Sequence, residues 1–304
     1  MRIHRYGDPS VICDDDIPRP VPDAGEVLIR VAATSFNPSD IGLRRGLLRS
    51  IFPLNLPYTL GGEVSGTVIE VGADVRQVAV GDRVVGRLDG GGAAADHVVA
   101  RVGTLVAAPA SIPLAHAAAI PIAGLTAWQA VFEHADVAAG QRVLVVGAGG
   151  GVGGFAVQLA RHAGAYVIAT ASPRSAGAVR RLGADQVVDY LTTSLADAVD
   201  EPVDVILNLV VTDARQNGAL RQLVRPGGVI VSATTPITAS AGAAVTAKHF
   251  VARNDTIQLA ALVRLVDTGA ITVDISASYS LTDLAEVHRI AEAGGNRGKV
   301  ILSP

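Results

Sequence analysis

One segment carries the clearest chemistry in the chain. Val143-Leu144-Val145-Val146-Gly147-Ala148-Gly149-Gly150-Gly151-Val152-Gly153-Gly154 runs straight into a helix-forming stretch, Phe155 to His162. Glycines let a chain turn tightly and let its backbone approach a diphosphate, while the helix that follows offers unpaired N–H groups and a partial positive charge. A strand before and a helix after are the context this chemistry requires. Two registers satisfy the spacing: Gly149, Gly151 and Gly154, or Ala148, Gly150 and Gly153 with alanine first. The plainer alternative is a turn that only lets the helix pack on a sheet. The flanking strand and helix favour a dinucleotide cradle that includes Gly151 and Val152.

The next strand refines the ligand. Its end reads Ala169-Thr170-Ala171-Ser172-Pro173-Arg174, without the Asp or Glu that would accept bonds from a ribose diol. A carboxylate repels a 2′-phosphate, whereas a hydroxyl and a guanidinium bind one, so Ser172 and Arg174 point to NADPH rather than NADH. The bland reading is that Arg174 opens a solvated helix with Arg180 and Arg181.

These residues need elements to hold them. The first third is β-rich, with Glu26–Val31, Gly66–Val71 and Asp82–Gly86 as its clearest strands between Gly and Pro turns. From about Ala115 the texture becomes helical, then alternates strand and helix, as a parallel sheet covered on both faces does. Strands are expected at 142–146, 166–170, 186–189, 203–209 and 228–233, then a helix at 256–267, a strand at 271–275, a helix at 281–293 and a strand at 299–302. This tail either extends the parallel sheet or returns to the first module.

Composition narrows the class. With 49% apolar and 17% charged residues in 304, the chain is long and apolar enough for two compact domains. A net charge of -3 gives no footprint for nucleic acid, and no Lys/Arg run suggests an anionic membrane surface. The uncharged stretches 143–160 and 226–247 approach membrane-span length, but their Gly, Ser and Thr content suits buried α/β elements. The single Cys13 allows no intrachain disulfide and no cysteine-based zinc cluster, and the seven histidines lack metal-ligand spacing. With no apolar segment in Met1 to Asp8, a reducing cytoplasmic location is expected.

The chain resembles the zinc-independent quinone oxidoreductases, the zeta-crystallin-like branch of the medium-chain dehydrogenase/reductase superfamily. The resemblance runs through Phe36-Asn37-Pro38-Ser39-Asp40, the block from Leu56 to Gly66, Val80 to Val84, Ala123-Gly124-Leu125-Thr126-Ala127-Trp128, the glycine turn, Arg181 to Asp185, Arg225 to Gly228, and Arg297-Gly298-Lys299-Val300. It implies an α/β fold: a GroES-like β-rich substrate domain (1–118), a Rossmann domain with a doubly wound parallel sheet (119–254), and a C-terminal segment returning to the first (255–304). The active site would be a cleft between the modules. The family's Gly-Gly-Val-Gly ending matches Gly150 to Gly153 and so selects the Ala148 register.

The resemblance also implies roles. Where zinc-dependent relatives carry Cys and His ligands, this chain has Asn37 and Gly62, and the four-cysteine lobe is missing, so no metal is expected. Asn37 and Asp40 match a turn facing nicotinamide and substrate, against the plainer reading of an Asx-turn that shapes the loop. Tyr58 matches a pocket tyrosine that donates to the substrate oxygen, and Thr126 a threonine beside the nicotinamide. Asn208, at the end of the strand 203–209, and Arg297 complete the cofactor set, although Asn208-Leu209-Val210 departs from the family pattern. The implied activity is hydride transfer from NADPH to a quinone or small enone, in a homodimer. Alternatives are an enoyl-thioester or polyketide-tailoring reductase and a non-catalytic, crystallin-like NADPH-binding protein. Aromatic residues make up only 4%, and Gly90-Gly91-Gly92 replaces a stretch where relatives usually place a tyrosine, which favours an aliphatic ligand over a flat one.

Overall fold

The computed structural model describes residues 1–237 and 244–304. Part of the uncharged stretch 226–247 therefore lies outside the described residues. Along the chain come strands β1 (Arg2–Ile3), β2 (Ile12–Cys13) and β3 (Glu26–Phe36), helix α1 (Pro38–Arg44), then β4 (Tyr58–Thr59), β5 (Glu63–Val71), β6 (Arg83–Arg87), β7 (His97–Arg101) and β8 (Leu105–Ala107). Helices α2 (Leu114–Ala117) and α3 (Pro121–Trp128) lead into β9 (Arg142–Val146), α4 (Gly151–His162), β10 (Tyr166–Ala171), α5 (Pro173–Arg181) and β11 (Gln186–Asp189). Then follow α6 (Leu195–Ala198), β12 (Val203–Asn208), α7 (Ala214–Gln222), β13 (Val224–Ser232), β14 (Thr246–His249), α8 (Thr256–Asp267), β15 (Ile275–Ser280), α9 (Leu284–Glu292) and β16 (Lys299–Ser303).

The contacts divide the chain into two units. The first holds Met1–Ile122, Asn254–Gly269 and Ile275–Pro304, and the second Ala123–Arg253 and Ala270–Asp274. In the first, one sheet runs in the order β15-β16-β3-β5-β6-β8, with β7 also on β3, so the tail joins the N-terminal module through β16 and β3. Because every second residue of a strand points the same way, Val27, Ile29, Val31, Val64, Val68, Val84 and Val98 gather as a core. A second core collects Ile3, Phe36, Leu60, Val287 and Leu302.

In the second unit six strands lie in the order β11-β10-β9-β12-β13-β14, all parallel. Counted within the unit this is 3-2-1-4-5-6, the doubly wound order whose reversal point sits beside the first strand. Val143, Leu144 and Val145 are fully buried, as a central strand covered on both faces must be.

Two elements differ from expectation. Residues 271–274 do not form a strand, because the buried Gln158 side chain takes both backbone groups of Thr272: its Oε1 accepts from Thr272 N at 2.7 Å, and its Nε2 donates to Thr272 O at 3.0 Å. The strand begins four residues later, at Ile275–Ser280, where β16 supplies a ladder. A sixth parallel strand, β14, is not expected from the sequence, and its burial pattern explains why: three of its four residues, Thr246, Lys248 and His249, are exposed polar ones.

Candidate functional site

In the first unit, β3 ends at Phe36 and α1 begins at Pro38, whose missing N–H costs nothing in a first turn. Asn37 stands between them, and its backbone N–H donates to Asp40 Oδ2 at 2.9 Å, which closes the turn. The Asn37 amide is consumed by its neighbours. Its Nδ2 donates to Glu63 Oε1 at 2.7 Å and to Ser35 O at 3.4 Å, while its Oδ1 accepts from Lys299 Nζ at 2.8 Å.

Lys299 spends its other donors on Phe36 O at 3.2 Å and Glu63 Oε1 at 3.0 Å. Glu63 Oε1 also accepts from Ser35 Oγ, and its Oε2 accepts from Ile122 N at 2.7 Å, inside the first turn of α3. Glu63 is 0% exposed and Lys299 3%, so both charges exist there only because each is paired and hydrogen-bonded. An ammonium only donates and a carboxylate only accepts, which fixes the Asn37 amide in one orientation. Asn37 thus acts on Asp40 and has no donor left to offer outward.

Asp40 keeps partial solvent access. Burial pushes its carboxyl up to about 7, helped by the Glu63 charge and opposed by the Asn37 N–H and Lys299. Tyr58, on β4, is pushed up to about 12 by burial and then by the Asp40 charge, so the phenol stays protonated and able to donate. Its Oη rests against the backbone of Gly91, where a Cβ would stand 2.1 Å from it. Gly91 also has φ +72°, so glycine is required there on two counts.

A zinc ion does not fit this corner. The Asn37 amide is saturated, Gly62 has no side chain, and the Lys299 ammonium occupies the amide oxygen. Among the described residues, no group of three His, Cys, Asp or Glu is gathered to hold a metal.

In the second unit the glycine turn follows β9. Gly147 has φ +91°, and the turn is tied to the end of β10 by Gly147 N donating to Thr170 Oγ1 at 2.9 Å and Ala148 N to Thr170 O at 3.2 Å. Gly150 is the N-cap of α4 and supplies no side-chain cap. The first-turn N–H groups of Gly151, Val152 and Gly153 therefore have no acceptor within the helix. A Cβ at Gly153 would lie 2.2 Å from Gly147 O and 2.6 Å from Ala148 Cα, whereas one at Gly154 would meet Leu182 Cδ1 at 3.3 Å and one at Gly150 nothing closer than 3.6 Å. The helix-to-turn contact that excludes a side chain falls at Gly153, as the register of Ala148, Gly150 and Gly153 requires.

Ser172 is the N-cap of α5, and Arg174, in that helix's first turn, is exposed. Asn208 closes β12 in register with Val146, the last residue before the glycine turn. It is fully buried; its Nδ2 faces Val210 O, Thr212 Oγ1 and Ser232 Oγ at 3.1, 3.3 and 3.2 Å, and its Oδ1 has no partner. A turn of glycines and one alanine, unpaired helix amides and one orphaned buried acceptor at the strand ends fit a dinucleotide. Thr126 lies on α3, partly buried, in the same unit. Arg297 belongs to the first unit, two residues before Lys299. The structure thus gathers Asn37, Asp40 and Tyr58 in one unit and the glycine turn, Ser172, Arg174 and Asn208 at strand ends in the other.

Sequence reading assigned no role to Ser35, Glu63 or Lys299. A signal existed, because Lys299 precedes the apolar run Val300-Ile301-Leu302 and Glu63 opens a buried strand, but 236 positions separate the two charges.

Two family models match, the alcohol dehydrogenase GroES-like domain over residues 23–110 and the zinc-binding dehydrogenase over 182–302. The chain is 30% identical to the chloroplastic quinone-oxidoreductase QR1 of Triphysaria versicolor over 95% of its own length and 93% of that protein's. It is 38% identical to the spectinabilin polyketide synthase system protein NorB of Streptomyces orinoci over 72% of its length, a match spanning 10% of that much longer protein. The structure of Escherichia coli quinone oxidoreductase complexed with NADPH superposes with a TM-score of 0.89 at 26% identity, covering 100% of this chain and 99% of that one. By sequence across nearly its whole length and by fold in both units, the chain belongs to the quinone oxidoreductase branch of the medium-chain dehydrogenase/reductase superfamily.

Proposed function

We propose that the protein is a metal-independent reductase that uses NADPH to reduce a quinone or another small conjugated carbonyl compound. The observation that carries this reading is that Tyr58, a phenol held in its protonated form, lies close enough to Asp40, whose carboxyl is pushed up to about 7, to feel its charge, in a corner whose side chains do not suit a metal. A bound reduced nicotinamide supplies hydride to an electron-poor carbon. Tyr58 then donates to the oxygen on which negative charge develops, and Asp40, protonated below about pH 7, resupplies the proton. Asn37 holds Asp40 in place through its backbone N–H.

The cradle in the second unit supports the cofactor. The amides of Gly151, Val152 and Gly153 receive the diphosphate, and Ser172 and Arg174 receive a 2′-phosphate in the absence of an acid at the end of β10. The NADPH complex of the E. coli relative favours the same cofactor. Thr126, Asn208 and Arg297 are assigned to the remaining cofactor contacts. A homodimer belongs to this reading because, among the described residues, β14 is paired on one side only, by β13, which leaves a strand edge for a second copy.

The polyketide synthase relative favours a second reading, an enoyl-thioester as acceptor. NADPH oxidation against a panel of quinones, enones and enoyl thioesters separates the two. Turnover of quinones or enones is expected; turnover confined to thioesters moves the substrate class, and no turnover with any acceptor leaves a non-catalytic NADPH-binding protein.

A further inference from the structure

Between Asp40 and Glu63 lie twenty-two residues with three arginines and no acid, in a chain whose net charge is -3. Residues 46–52 coil through consecutive turns closed by Leu47 N to Gly42 O at 2.9 Å, Ile51 N to Leu48 O at 2.9 Å and Phe52 N to Leu48 O at 2.7 Å. The segment divides into an inward and an outward set. Ile41, Leu54 and Tyr58 pack on the core of Ile3, Phe36 and Leu60, and Leu54 N donates to Tyr6 Oη at 3.4 Å. Leu47, Ile51, Phe52 and Leu56 face solvent with 67, 65, 43 and 37% of their area exposed. Arg44 is buried and spent on His288, Gly7 O and Glu292. Arg49 is exposed, and Arg45 is 53% exposed with only a 4.0 Å approach to Glu292, itself engaged by Arg44.

Exposed apolar side chains beside guanidinium groups, without a nearby acid on the same segment, match the boundary of an anionic bilayer, where acyl chains meet phosphate. We propose that the segment Arg45–Leu56 is a peripheral docking surface for an anionic lipid membrane, with Leu47, Ile51, Phe52 and Leu56 entering the headgroup boundary and Arg45 and Arg49 meeting lipid phosphates. This is surface attachment, in keeping with the finding that no helix among the described residues is long and apolar enough to span a membrane. A second copy of the chain is the competing occupant, but two facing copies would bring the arginines of one toward those of the other.

The test needs neither NADPH nor acceptor, so it fails or succeeds independently of the proposed reaction. The full chain is sedimented with vesicles of phosphatidylcholine alone and of a two-to-one mixture with phosphatidylglycerol. Tighter binding to the anionic vesicles, roughly thirtyfold for two arginines at low salt, is expected. Leu47→Ser with Ile51→Ser should abolish it, Arg49→Glu should remove most of the preference for anionic lipid, added salt should weaken it, and Val80→Ser, at an apolar residue exposed outside the segment, should leave it intact. Should the serine variant melt early, Arg49→Glu and the salt series still decide. Absent binding, equal binding to both vesicles, or binding indifferent to these changes overturns the proposal. So does concentration-dependent dimerisation that the serine variant abolishes while the wild type ignores vesicles.

Discussion

In the proposed reaction Asp40 and Tyr58 carry the chemistry at the smallest scale, and their ionisation makes the assignment checkable. Because the folded protein raises the Asp40 carboxyl from 3.8 to about 7, the folded state holds a proton between those values that the unfolded chain releases. Stability contributed by this group therefore falls as pH rises from about 4 and levels off above about 7. Asp40→Asn is expected to flatten that fall in a series of melting curves, and to remove the decline of turnover above pH 7 that a protonated Asp40 predicts. A profile unchanged by the substitution would return Asp40 to a loop-shaping role. Tyr58→Phe keeps the ring against Gly91 but removes the donor, so kcat should drop by about a hundredfold or more, in line with the loss of one acid in general catalysis, while NADPH affinity holds. Equal kcat for the variant and the wild type would assign Tyr58 to packing.

At the scale of elements, the strand–turn–helix of β9 and α4 separates two uses of glycine. Gly153 is needed by the fold, since its Cβ would strike Gly147 O, whereas a Cβ at Gly150 makes only an ordinary contact with Gly147 O at 3.6 Å. Gly150→Val should leave thermal stability near wild type and raise the Kd for NADPH by at least about tenfold, the effect of losing on the order of 1.4 kcal/mol. Gly153→Val should lower the melting temperature as well as binding. Fluorescence titration beside calorimetry reads both, and unimpaired binding in Gly150→Val would remove the cradle. On α5, Arg174→Ala should weaken NADPH by roughly tenfold, the worth of one charge-assisted bond, and NADH hardly at all. The motif, its flanking strand and helix, and the missing acid after β10 were all legible in the sequence because they are local. The displaced strand at 275–280 was not, since the deciding interaction is Gln158 reaching Thr272 from 114 positions away.

Across the molecule, β16 returns from the end of the chain to β3 and brings Lys299 to Glu63. Removing one member of a buried pair strands the other charge, so Lys299→Met should cost about 3–5 kcal/mol in denaturant unfolding, and Lys299→Met with Glu63→Gln should recover much of that loss. An additive double variant would show that the two charges act independently. A second long-range contact sets an acid limit: burial and the Arg44 charge push His288 down to about 4. The folded state then binds fewer protons than the unfolded chain between about 4 and 6.5, and stability contributed by His288 is lost as pH falls through that window.

The sequence by itself determined the two-module α/β organisation, the position of the glycine turn and the family. Each of these is written in short-range patterns: alternating or continuous apolar runs, glycine spacing, and blocks in a fixed order. Only the tertiary structure decided that the Asn37 amide is spent within the protein, that Lys299 and Glu63 form a buried pair near Asp40, and that four apolar side chains with two arginines between Asp40 and Tyr58 face water. Burial and charge pairing depend on which distant strands share a sheet, and the side a loop residue faces has no periodicity to reveal it.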